Sequence, residues 1–150
     1  MAVADFQGFT DLYEAGKSQI ISVDYIADLD TPVSVYMRLT GGADYSFLLE
    51  SVEGGAVKGR YSIIGFAPDM LWRCQGDKVS INNTPLEGGT FKSIEISPLD
   101  ALRDVVRKSK IDETGDLPPA VSSLVGYMGY DMIANVEELD LNNPDPLSVP

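Results

Sequence analysis

Residues 45–55 read YSFLLESVEGG. Phe47, Leu48 and Leu49 make a short apolar run that meets Glu50 and Ser51, with Gly54 and Gly55 close behind. A run this short, closed off by polar residues and glycines, predicts a strand; a helix needs a longer stretch with a 3.6-residue period. The same pattern continues downstream. RYSIIGFAP, DMLWRCQG and DKVSINN are further β-rich runs parted by Gly, Pro, Asn and Asp, and Gly76-Asp77 suits a hairpin turn. FKSIEIS, with Phe91, Ile94 and Ile96, reads as one more strand.

Helices flank this sheet region. In LDTPVSVYMRLTGG, Thr31 is placed to cap, Pro32 to open and Gly41-Gly42 to stop a helix, with Val33, Tyr36 and Met37 on its core face. In SPLDALRDVVRKSK, Ser97 caps and Pro98 opens. Leu99, Leu102, Val105 and Val106 form the apolar stripe. Asp100 near its start and Arg107, Lys108 and Lys110 near its end suit the helix dipole. TDLYEAG predicts a first helix capped by Thr10, stapled by Phe9 and Tyr13 and ended by Gly16. IISVDYIAD (20–28) predicts a strand, VSSLVGYMGYD (121–131) a buried strand entering a glycine turn, and MIANVEEL (132–139) a short helix. DETGDLPPA (112–120) reads as a polar loop and DLNNPDPLSVP (140–150) as a linker or cut. Helices set apart from runs of strands give an α+β class, a mixed or antiparallel sheet with flanking helices.

Composition narrows the function. The 150 residues, 44% hydrophobic, suffice for one domain with a core. The 23 acidic residues against 11 basic ones give a net charge of -12, which argues against nucleic acid or an anionic membrane as partner. No histidine is present, which removes the commonest neutral-pH base and any Ser-His-Asp or Cys-His arrangement within these residues. Cys74 stands alone, so neither an internal disulfide nor a cysteine-rich zinc site can form. The N-terminus has no signal-peptide pattern, and no apolar run reaches the roughly 18 residues that span a bilayer. A cytoplasmic protein is expected.

Motifs for chemistry are few. GYMGYD is not a dinucleotide fingerprint, and EGGAVKGR lacks P-loop spacing; Gly54 and Gly55 read as a turn. Glu137, Glu138 and Asp140 read as a solvated face, and no calcium-loop pattern occurs. Trp72 and Cys74 share a strand face and read as core, while Asp131 is placed either to cap a helix or to act in a site. Glu50 and Ser51 stay open to two readings. They can end a strand and satisfy nearby amides, or form a polar socket that grips the ammonium of an amino acid beside apolar neighbours.

DTPVSVYMRL, YSFLLESVEGG, GRYSIIGFAPD, LVGYMGYDM and NPDPL, in this order, resemble the N-terminal segment of anthranilate synthase component I, of the chorismate-utilising enzymes. The resemblance runs from the first helix to the tail. It implies a larger two-layer β-sandwich-like enzyme fold, of which residues 1–150 are the N-terminal regulatory region, with the C-terminal chorismate-binding catalytic region absent. It implies conversion of chorismate and glutamine-derived ammonia to anthranilate and pyruvate in tryptophan biosynthesis, a lyase reaction. It also implies a glutamine amidotransferase partner, as a subunit or a fused domain. No catalytic residue, cofactor or metal is expected in this segment; Mg2+ is expected in the C-terminal part. The family's LLES block carries its feedback site for L-tryptophan. By position this gives Leu49, Glu50 and Ser51, with Tyr61 of GRYSIIG beside them. NPDPLSVP does not match the family's later Asn-Pro-Ser-Pro-Tyr-Met wall, so half a pocket is expected here. Aminodeoxychorismate synthase component I and a stand-alone amino-acid-binding module are the rival readings.

Overall fold

The structure is a computed structural model that describes residues 6–51, 61–111, 117–139 and 144. Gly54, Gly55, Asp140, residues 112–116 of the predicted loop and all of the tail except Pro144 lie outside them. The observed class is α+β, as the sequence predicts. The elements in chain order are α1 (Phe6–Glu14), α2 (Pro32–Thr40), β1 (Phe47–Glu50), β2 (Ser62–Gly65), β3 (Leu71–Gln75), β4 (Lys78–Asn82), β5 (Lys92–Ile94) and α3 (Pro98–Lys108). β1 and β2 form one sheet, and β3, β4 and β5 in that order form another. The chain divides into two compact units, residues 1–25, 72–80 and 93–150, and residues 26–71 and 81–92.

The first unit holds the core. Cys74, Val79 and Ala101 are buried together, with Trp72, Ile94 and Met132 packed around them. Trp72 and Cys74 share one face of β3 as period two requires, and the Gly76-Asp77 turn carries β3 into β4. Burial pushes the Cys74 thiol above its ordinary pKa, and the Asp77 carboxylate adds to the shift. Ala101 and Val105 form the buried line of α3. Leu99 and Leu102 flank it, whereas Val106 is exposed, so the stripe is narrower than predicted. Ser97 caps α3 by accepting from the Asp100 amide at 3.2 Å.

Several expectations change. α1 begins at Phe6, so Thr10 lies inside the helix and donates to the Phe6 carbonyl at 2.9 Å instead of capping. Phe9 does meet Tyr13, as one step of a stacked series that includes Phe6, with ring centroids 6.3 and 5.9 Å apart. Residues 20–28 form no strand. β-propensity prepares a surface for pairing, and no described strand supplies the ladder. Residues 123–129 are irregular and largely exposed instead of a buried strand, and 132–139 give only part of a 3-10 turn, Tyr130–Asn135. Apolar runs alone do not specify a period, and Gly126 and Gly129 weaken the strand. Asp131 sits in the first turn of that 3-10 segment and caps nothing; the N-cap is Gly129.

In the second unit, α2 follows its sequence signals. The Thr31 hydroxyl accepts from the Ser34 amide at 3.1 Å, and the Ser34 hydroxyl accepts from the Thr31 amide at 2.9 Å, which closes a reciprocal cap. Gly41 takes φ 55°, where a side chain would be strained, and donates to the Met37 carbonyl. Val33 and Met37 are exposed, contrary to expectation; Pro32, Val35, Tyr36 and Thr40 form the sheltered line. Asn82 is buried at the end of β4. It donates to the Gly89 carbonyl at 2.8 Å and accepts from the Thr84 amide at 3.0 Å, clasping the loop around the Pro85–Glu87 turn.

Candidate functional site

The β1–β2 hairpin collects every residue singled out in the sequence for ligand binding. The strands run antiparallel with Phe47 opposite Gly65, Leu48 opposite Ile64, Leu49 opposite Ile63 and Glu50 opposite Ser62. Ser51 directly follows β1 and Tyr61 directly precedes β2, so both lie at the end of the ladder next to the Glu50–Ser62 pair. Directly opposed residues share a face, and faces alternate along each strand. Phe47 and Leu49 therefore share a face with Gly65 and Ile63. Leu48 and Glu50 share the other with Ile64 and Ser62.

Leu49, Ser51 and Tyr61 thus lie at one end of the hairpin, and Glu50 sits on the face opposite Leu49 at the same end. A ligand that meets both Leu49 and Glu50 must reach round the strand end. Leu49 is 48% exposed and Tyr61 59% exposed, so this face offers open apolar surface with a hydroxyl at its tip. Such a surface can hold an amphipathic molecule, its apolar part along the strands and its polar part near Ser51.

Two further features fix this hairpin. The Ser46 hydroxyl donates to the Ala43 carbonyl at 2.9 Å and accepts from the Tyr36 hydroxyl at 2.9 Å. That relay ties α2 to the residue just before β1. At the root, Phe47's ring lies across Gly65, so closely that a Cβ there would run into ring atoms Cε1 and Cζ. Sequence reading missed both. Gly65 carried the signal, since a glycine inside a strand run marks a close approach. Among the described residues no group of three or more carboxylate or thiol side chains is placed to hold a metal. No helix among the described residues is long and apolar enough to cross a membrane.

Known proteins give a consistent answer. Anthranilate synthase component 1 of Cereibacter sphaeroides is 42% identical over 149 residues, which are 99% of this chain and 30% of that protein. The chain is thus similar, along nearly its whole length, to part of anthranilate synthase component 1. Proteins of the same name from Pseudomonas putida and Synechocystis are 38% and 33% identical, each over 146 residues. Those stretches cover 95% and 97% of this chain and 29% and 28% of the relatives. The chain therefore spans under a third of the length of the curated relatives it matches. No family model matches the chain, and no solved structure matches it.

Proposed function

We propose that residues 1–150 are the N-terminal regulatory region of an anthranilate synthase component 1, and that the LLES end of the β1–β2 hairpin is one wall of its L-tryptophan feedback site. The observation that carries this is the match across 99% of the chain to a relative of which it covers 30%. In this reading the complete cytoplasmic enzyme converts chorismate and ammonia to anthranilate and pyruvate in tryptophan biosynthesis. A glutamine amidotransferase subunit or fused domain supplies the ammonia. Chorismate and Mg2+ belong to the C-terminal region, and this segment performs no catalysis alone.

The tryptophan site follows from the chemistry of the hairpin end. Ser51 grips the polar end of the amino acid, Leu49 and Tyr61 cover its ring, and Glu50 reaches the ammonium from the far side of the strand end. Burying an indole removes roughly 150–250 Å² from water, on the order of 4–6 kcal/mol. Micromolar binding needs about 8 kcal/mol net, so the polar grip is indispensable. Feedback then requires tryptophan and chorismate to weaken one another's binding by the same factor.

The test is calorimetric titration of the full-length chain with L-tryptophan, beside a Ser51→Ala variant. Saturable binding is expected, weakened about tenfold or more by loss of one hydrogen bond to a charged group. A Ser51→Ala chain that binds tryptophan as tightly as its parent would defeat the assignment.

A further inference from the structure

We infer that the Phe47–Gly65 pair sets the apolar floor of this site, so that Gly65 determines ligand specificity through Phe47 without touching the ligand. This rests on the tryptophan reading above. From root to tip, the face runs Phe47 with Gly65 and Leu49 with Ile63, and Ser51 and Tyr61 follow at the strand end. An amino acid whose polar end is held near Ser51 sends its side chain rootward over Leu49 and Ile63. Phe47's ring is the next surface it meets, one two-residue step of about 7 Å further along.

That ring comes this close to β2 because residue 65 has no side chain. An aromatic ring laid over a cross-strand glycine shields that strand and fixes the ring's own tilt. A longer ligand ring reaches Phe47 and a shorter one falls short, so the pair separates an indole from a phenyl group. A methyl group on residue 65 would meet the ring at Cε1 and Cζ while the ladder holds both backbones. The ring must then swing off β2, and the floor changes shape. Phe47 is a contact residue in this scheme and Gly65 a positioning residue.

The experiment measures L-tryptophan and L-phenylalanine affinities on the full-length chain by competition, with the thermal midpoint of each variant recorded. Ser51→Ala is expected to weaken both ligands alike, because it touches the end they share. Phe47→Leu and Gly65→Ala are each expected to lower the tryptophan-to-phenylalanine preference by about tenfold, the scale set by small changes in an apolar pocket. The double variant is expected to match Phe47→Leu, since without the ring the methyl displaces nothing. An unchanged preference in Phe47→Leu overturns the inference, even if Gly65→Ala does not fold. So do additive effects in the double variant. If Ser51→Ala weakens binding while the preference never moves, the feedback reading stands and this inference falls. A parent chain that does not bind tryptophan removes both.

Discussion

The Cys74–Val79–Ala101 core and the β1–β2 hairpin are written in the same kind of sequence and meet opposite fates. Each is a pair of short strands with large apolar residues and a nearby helix. In the core, Val79 and Ala101 are 1% exposed. On the hairpin, Leu49 and Tyr61 stay about half exposed. Periodicity specifies a face and not what covers it. In the first unit the chain's own α3 and Met132 supply the cover. On the hairpin, Leu49 and Tyr61 remain open next to a hydroxyl, where the feedback reading sets its ligand.

Matched substitutions should separate the two regions most sharply. Val79→Asn buries an amide without partners and leaves a cavity, at a cost of about 3 kcal/mol. Leu49→Asn, at a half-exposed position, should cost under about 1 kcal/mol. Urea unfolding of the full-length chain measures both. Equal losses would mean that Leu49 is as well covered in the intact chain as Val79, and the contrast would collapse.

Asn82 gives the next largest effect. Its side chain makes two hydrogen bonds across the 83–91 loop from a 5% exposed position. Asn82→Ala leaves the Thr84 amide and Gly89 carbonyl unmatched, at a cost of about 2 kcal/mol. Asn82→Asp keeps the acceptor for Thr84 and loses the donor to Gly89, so an intermediate loss is expected. If the two variants unfold alike, the Thr84 contact contributes nothing and the clasp is a single bond.

How much of this was legible depended on whether the information was local. Thr31-Pro32, Ser97-Pro98, Gly41 and the Gly76-Asp77 turn act within a few residues of themselves, and all four did what their chemistry dictates. β1 to β5 were readable because glycines and prolines punctuate them. Residues 20–28 and 121–131 were misread for a shared reason: a strand exists only when another strand pairs with it, and that partner is not in the local sequence. The site was half legible. Glu50 and Ser51 stood out by residue type as one of two readings, Leu49 and Tyr61 came from a resemblance, and the division into faces came from the register. Phe47 over Gly65 needed coordinates, because the contact joins residues eighteen apart.

The smallest effect lies at the rim of the closed core, where α3 begins. Asp100 accepts from the Ser97 hydroxyl at 2.7 Å and from Arg103 at 3.0 Å. Those hydrogen bonds, Ser97's first, hold its carboxyl below the ordinary range although the side chain is exposed. The folded value is thus lower than the unfolded value of about 3.9. Its stabilising contribution is present above that unfolded value and is lost as pH falls through the folded one. Solvent screening keeps the contribution slight, so the measurement is an NMR titration of the Asp100 carboxyl carbon. Ser97→Ala should raise the midpoint more than Arg103→Gln, following the order of causes. The reverse order would assign the shift to the ion pair, and the cap would then be a contact to the backbone amide alone.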